Sequence, residues 1–228
     1  MKPLIRNKKQ KAIVLLSGGL DSATTLFLAK SKGYRISALI FDYGQRHKKE
    51  INCAKTLAKV AGCDYHIIKL SLPSLGSSLL NRNINIPKAR KERSGIPSTY
   101  VPARNLIFLS IAASYAESMR ADTIFIGANA VDFSGYPDCR PRFYSQLRKV
   151  IKIGTKAGVE GKALRILTPL INKTKKEIIK LGAKLGVPYA LTWSCYEGGK
   201  VPCASCESCL LRKKGFQEAK LNDPSSKS

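Results

Sequence analysis

The run Ser17, Gly18, Gly19, Leu20, Asp21, Ser22 has the composition of a phosphate cradle. Two adjacent glycines let backbone N–H groups come close to an anion, and a helix starting at the same point adds unpaired amides and the positive end of its dipole. The hydroxyls of Ser17 and Ser22 add donors. The run lacks both the Lys that ends a Walker loop and the glycine spacing of a dinucleotide fold, which excludes those two readings. A Gly-Gly pair can also be a mere strand-to-helix turn. A second constellation lies near the C-terminus, where Cys195, Cys203, Cys206 and Cys209 are spaced Cys-x7-Cys-x2-Cys-x2-Cys. Four thiolates at such spacing suit a closed, structural Zn²⁺ site, with an iron–sulfur cluster as the alternative. Cys53, Cys63 and Cys139 read as buried or inert thiols, although Cys139 sits in a candidate loop.

Positioning these groups requires a frame. Apolar, β-rich runs recur at residues 12–16, 36–41, 65–70, 123–126 and 166–170, and stretches with helical spacing lie at 22–32, 48–61, 103–119 and 174–185. Strand and helix alternate, which predicts an α/β protein with a parallel sheet and flanking helices, plus a small C-terminal zinc knuckle. Ligands of such a sheet sit beyond the carboxyl ends of its strands, so the loops at 17–22, 42–47 and 127–140 are the places to look for chemistry. The stretch 71–100, rich in Ser, Asn, Pro and Lys, is too long for an ordinary connection and reads as a mobile lid or a surface insertion. The expected organisation is a basic extension at 1–10, a nucleotide-binding α/β domain at 11–192, a four-cysteine zinc-binding element with a C-terminal helix at 193–220, and a frayed tail at 221–228.

The chain has 228 residues, 40 Lys plus Arg against 15 Asp plus Glu, and a formal net charge of +25. That field attracts polyanions, ATP and RNA alike, without naming either. No apolar run approaches the roughly 20 residues of a spanning helix. A reduced, cytoplasmic setting without membrane contact is expected, and it favours metal binding over disulfides for the cysteines.

SGGxDS after a first strand resembles the signature of the PP-loop ATP pyrophosphatases, the superfamily of NAD synthetase and the tRNA-thiolating enzymes, with an adenine nucleotide alpha hydrolase-like fold. FDYGQRH at 41–47, VPARN at 101–105 and GANAVDFSGYPDCR at 127–140, together with the cysteine group, closely resemble the 7-cyano-7-deazaguanine synthase family over nearly the whole chain from Lys11 to about Arg212. The resemblance implies a ligase that uses ATP and ammonia to turn 7-carboxy-7-deazaguanine into the nitrile, a precursor of queuosine and archaeosine. It would do so through an adenylated carboxylate and an amide.

On that resemblance, Leu16, Ser17, Gly18, Gly19, Leu20, Asp21, Ser22, Ala23, Thr24, Thr25 and Leu26, with Asp42 and Tyr43, are the ATP-binding positions. Asp21 is placed to hold the phosphate-bound Mg²⁺ or to order the turn. Ser17, Asp21, Arg104 and Lys175 are the catalytic candidates, the two cations reaching phosphate or carboxylate. Their bland readings are a solvated helix lysine and an arginine paired with a structural acid. The donor edge of a deazaguanine calls for a carboxylate, Asp132 or Asp138, with Phe133 and Tyr136 to stack on the base and Arg140 to meet the substrate carboxylate. His47 either aids proton transfer from ammonia or is structural. Relatives commonly form homodimers. One departure is Ala204, which follows Cys203 where the family usually has glycine, and which suggests a knuckle of different shape. The rivals are a tRNA-thiolating PP-loop enzyme and a non-catalytic zinc-knuckle RNA-binding protein, for either of which tRNA contact would employ the basic surface.

Overall fold

The computed structural model describes residues 9–88, 95–130 and 135–226. Five parallel strands, β1 (Lys11–Leu15), β2 (Arg35–Asp42), β3 (Asp64–Lys69), β4 (Thr123–Phe125) and β5 (Arg165–Leu167), form one sheet in the order β3-β2-β1-β4-β5. Among the described residues the α-helices are α1 (Leu20–Ser31), α2 (Lys49–Ala61), α3 (Arg104–Met119), α4 (Pro141–Gly154), the single turn α5 (Lys156–Val159), α6 (Lys175–Lys184) and α7 (Glu207–Ala219). The α/β architecture and all five strands agree with the sequence reading. β5 stops at Leu167 instead of residue 170 because Pro169, which has no N–H, cannot extend the ladder.

The central strands β1, β2 and β4 are apolar on both faces, as a parallel sheet covered on both sides requires, while the edge strand β3 has no fully buried residue. Ala12 and Val14 of β1, with Ala38 and Ile40 of β2, pack with Leu26, Leu57 and Ile178 from α1, α2 and α6. The alternate residues Ile13, Leu15, Leu39 and Phe41 face Phe108, Leu109 and Leu147 from α3 and α4. Helix α4 is absent from the expected elements. Its buried stripe is Tyr144, Leu147 and Ile151, at helical spacing among Arg142, Arg148, Lys149 and Lys152, and that periodicity together with Pro141 at its first turn marks it in the sequence.

The chain turns back between β1 and β4, neighbours in the sheet from which the two halves run in opposite directions, and this switch point opens a crevice at the strands' carboxyl ends. The described part of the stretch 71–100 is anchored rather than free. The Arg46 guanidinium donates to the carbonyls of Asn81, Arg82 and Ile84 at 3.1, 3.1 and 2.6 Å, Leu80 enters the core, and Lys88 bridges to Cys206. The described part of the tail is likewise docked. Asp223 accepts two hydrogen bonds of 2.9 Å from the buried Arg212, which also donates to Thr192 and the Tyr189 carbonyl. Helix α7 places Phe216 in the main core, so the C-terminal element is integral to the body.

Candidate active site

The cradle forms where the sequence places it, at the end of β1 and the start of α1. Gly18 lies at φ +87°, and a Cβ there would stand 2.2 Å from the Glu50 carbonyl oxygen, so only glycine lets the loop pass this close to α2. Ser17 Oγ donates to Ser22 Oγ at 3.0 Å, Ser22 Oγ donates to the Gly19 carbonyl at 3.1 Å, and the Gly18 carbonyl accepts from Trp193 N–H at 3.0 Å. Gly19, the N-cap of α1, brings no side-chain cap to the first-turn amides. An anion at that point meets backbone donors and the positive end of a 12-residue helix.

A cavity of about 270 Å³ lies over the switch point. The cradle residues Leu16, Ser17, Gly19, Asp21 and Ser22 form one wall, and Tyr43, His47 and Glu50 form the second. Arg104, Tyr136 and Cys139 face them. Ala23, Thr24, Thr25 and Leu26 do not reach this wall. They are buried along α1, Leu26 in the hydrophobic core, while Thr24 bonds Tyr189 on the interior side at 3.1 Å. Asp42 also lies off the wall and faces Lys48 at 3.5 Å.

Lys175 and Asp21 meet across the cradle, with Lys175 Nζ 2.8 and 3.0 Å from the two Asp21 carboxylate oxygens. Asn129, fully buried after β4, donates to the same carboxylate at 3.2 Å. Lys175 owes its place to a capping box, in which Thr174 and Glu177 close the first turn of α6 and aim it at the cradle. Arg104 is directed inward and donates to the Tyr43 hydroxyl at 3.2 Å. Burial raises the Tyr43 phenol above its ordinary value, with Arg104 opposing.

Asp138 lies off the cavity wall. Its carboxylate accepts from the Asn105 backbone N–H at 2.9 Å, capping the start of α3, where Ala103 adopts φ +54° and supplies no side-chain cap. Tyr136 lines the cavity and holds Thr99 Oγ1 at 2.7 Å. Arg140 is exposed at the N-cap of α4, off the cavity wall. Asp132 and Phe133 lie outside the described residues.

Glu50 on the cavity wall and Asn129 buried behind Asp21 escaped the sequence reading. Asn129 stands inside GANAVDFSGYPDCR, but nothing in its neighbours marks it as the partner of a residue 108 positions away. Glu50 opens α2 among charged residues and looks like an ordinary first-turn acid. In three dimensions it is half-buried between the cradle and the cysteine cluster, where burial pushes its carboxyl up to about 7, Arg104 opposing and Cys195 adding to the rise. His47 Nε2 donates to the Cys195 carbonyl at 3.0 Å, which leaves Nδ1 buried with no partner among the described residues. Burial holds His47 below its ordinary value.

The sulfurs of Cys195, Cys203, Cys206 and Cys209 all lie within 4.8 Å of one another. Tetrahedral zinc places its sulfurs about 3.8 Å apart, so a metal fits with small adjustments. Backbone N–H groups of Cys203 and Cys206 donate to Cys195 Sγ and Cys203 Sγ, both at 3.3 Å. The cluster favours a cation for electrostatic reasons too. Hydrogen bonds from Cys206 and Cys209 hold the Cys195 thiol far below the thiol range, while the hydrogen bond with Cys195 pushes Cys206 up to about 11, and a bound cation would favour the thiolate form of such crowded sulfurs. Ala204 corrects the expectation of a differently shaped knuckle, for it takes φ +58° and keeps the left-handed turn that a glycine would provide.

A family model described as "Queuosine biosynthesis protein QueC" matches residues 11–220. The 7-cyano-7-deazaguanine synthase of Thermoplasma acidophilum is 53% identical over 219 residues, covering 95% of this chain and 92% of that protein. The enzyme of the same name from Clostridium kluyveri is 51% identical, covering 94% and 96%. Among solved structures, a predicted subunit of tRNA methyltransferase from Methanocaldococcus jannaschii aligns with a TM-score of 0.50 at 16% identity, over 95% of this chain and 91% of that one, a likeness of fold alone.

Proposed function

The chain belongs to the QueC family of queuosine biosynthesis proteins, and we propose that it makes 7-cyano-7-deazaguanine from 7-carboxy-7-deazaguanine, ATP and ammonia. The observation that carries this reading is that the Ser17–Ser22 cradle and Arg104 open into one cavity, so a nucleotide's phosphates and a substrate carboxylate can meet there. A carboxylate is a poor electrophile because its leaving group would be oxide. Adenylation makes that oxygen part of a phosphate, ammonia then gives the amide, and a second activation of the amide oxygen leaves the nitrile.

Such chemistry asks for positioning and charge neutralisation more than for a protein nucleophile. The cradle amides, Ser17 and Ser22 bind the phosphates that depart as pyrophosphate. Asp21 would hold the phosphate-bound Mg²⁺, and Lys175, paired with Asp21, would then be released to neutralise the phosphates. Arg104 draws the substrate carboxylate toward the α-phosphate, and Tyr136 packs against the base. With Asp138 committed to α3, the acceptor for the base's donor edge falls to Asp132. The four cysteines hold one structural Zn²⁺, which keeps Tyr196 and His47 on the cavity wall and takes no part in the reaction. A homodimer finds an apolar face at the exposed Val150, Ile153 and Val159 of α4 and α5. The test is mass spectrometry of the purified protein with 7-carboxy-7-deazaguanine, Mg-ATP and ammonium. The nitrile is expected with the natural chain and absent with Asp21→Ala. No amide or nitrile from a folded, ATP-binding protein rejects the substrate assignment and turns the question to tRNA thiolation.

A further inference from the structure

On the far side of the cradle lies a second chamber of about 140 Å³, between α1, α6, α7 and the loop that carries Trp193 and Tyr196. It shares Gly19, Asp21, Glu50 and Tyr196 with the main cavity, so these four residues are the partition between the two spaces. Both carboxylates of the partition face both spaces, but their situations differ. Asp21 accepts from Lys175 and Asn129. No donor from the described residues reaches the Glu50 carboxylate, and the wall cations Arg104, Lys175, Arg46 and Arg212 are engaged with Tyr43, Asp21, the carbonyls of Asn81, Arg82 and Ile84, and Asp223.

A half-buried carboxylate with no donor is costly, and a ligand that brings its own N–H groups and a positive charge removes that cost. The ligand must be small. The chamber has about half the volume of the main cavity, which the nucleotide and the deazaguanine already share, so it suits a small ligand drawn from the same reaction. It must also reach the carbon being activated, since Glu50 stands beside Gly18 and Gly19, where the reacting phosphates are bound.

We infer that Glu50 binds ammonium at the partition between the two chambers and accepts the proton that frees its nitrogen for attack. This assignment rests on the adenylation reading above. Ammonium gives one proton to the Glu50 carboxylate. The lone pair of the resulting ammonia forms the C–N bond to the acyl carbon, and the C–O bond to AMP breaks with its electron pair leaving on the phosphate. The new bond leaves one surplus proton on nitrogen, which passes to solvent, and the Glu50 proton follows before the next turnover. Gln in place of Glu50 keeps the shape and removes both the charge and the proton acceptor.

The experiment is Glu50→Gln against the natural chain, read in three ways. Pyrophosphate release that depends on 7-carboxy-7-deazaguanine, in single turnover without ammonium, should stay within about threefold of the natural chain. The KM for ammonium chloride at pH 7 should rise tenfold or more. Hydroxylamine, an amine largely neutral at that pH, should restore most of the lost rate by giving the hydroxamate. Line broadening of ¹⁵N-ammonium by the natural protein, lost in Glu50→Gln, reports the site without any turnover. Equal loss of pyrophosphate release would assign Glu50 to Mg²⁺ or to the base, and an unchanged ammonium KM with unchanged line broadening would remove the site. If the natural chain itself releases no pyrophosphate with the carboxylate, the substrate reading fails, and the line broadening alone then decides whether Glu50 holds ammonium.

Discussion

The starts of α1 and α2 face each other across the same cavity and are built on opposite principles. At the start of α1 the polar side chains are already spoken for. Ser17 bonds Ser22, Ser22 bonds the Gly19 carbonyl, and Asp21 holds Lys175 and Asn129. At the start of α2, buried Nε of Arg46 and Nδ1 of His47 have no partner among the described residues, and Glu50 stands without a donor. The first region is arranged as an anion receptor would be, with backbone amides left as its donors. The second keeps unmet polar groups, and this is how a site looks when its ligand supplies the missing hydrogen bonds.

The sharpest way to break the comparison is to push the two regions apart. Gly18→Ala places a methyl group 2.2 Å from the Glu50 carbonyl at φ +87°, so it should destabilise the protein by about 4 kcal/mol or more and abolish ATP binding, as read by thermal unfolding and nucleotide titration. Next in size is Lys175→Ala. It unpairs Asp21 and removes a phosphate cation, and pyrophosphate release should fall by about 10² to 10³ while the fold persists by circular dichroism.

Removing the metal acts on the second region only through its support. Chelation, or Cys206→Ser, should lower stability by about 3 kcal/mol or more and release one zinc per chain by elemental analysis, since the Cys195 carbonyl that anchors His47 belongs to the knuckle. An unchanged melting temperature would mean that the cysteines carry no structural metal.

A smaller effect measures what Glu50 costs the fold. Its folded pKa of about 7 lies above the ordinary 4.5, so the folded state binds that proton more tightly than the unfolded chain. Glu50 is therefore no burden below pH 4.5, and stability is lost as pH rises through 7. Glu50→Gln should be more stable than the natural chain at pH 8 by roughly 1 to 3 kcal/mol, with the gap closing toward pH 4.5, in urea titrations at both pH values. No gap at pH 8 would show that the α2 start is as well satisfied as the α1 start. The smallest change is Ala204→Gly, which relieves the left-handed Ala at φ +58° and should add about 0.5 to 1 kcal/mol, the gain limited by the freer unfolded chain.

The contrast between the two regions also explains which parts of the site were legible. A cradle made of consecutive residues can be read from SGGLDS, because its donors are backbone amides and its glycines answer a local steric demand. The cysteines are legible for the same reason, their spacing setting how sulfurs can converge on one ion. The four described helices of the expected set and all five strands follow from apolar periodicity within each segment. Helix α4, absent from the expected elements, was legible too, since Phe143, Tyr144, Leu147, Val150 and Ile151 recur at helical spacing behind Pro141. Asp138 offers the opposite lesson. Its type suits a base, but the left-handed Ala103 leaves α3 without a cap, and the fold uses Asp138 there.

What the amino-acid sequence determined by itself is the fold class, the family, the glycine loop between β1 and α1 and the group of four cysteines, all written in residues near one another or in repeating patterns. Only the tertiary structure decided that Lys175 and Asn129 meet at Asp21, that Arg104 points at Tyr43, and that Glu50 stands between two chambers without a donor. Those facts depend on contacts between strand ends and helix starts brought together by the sheet order β3-β2-β1-β4-β5, and the energy of a buried charge depends on what surrounds it, not on its neighbours along the chain.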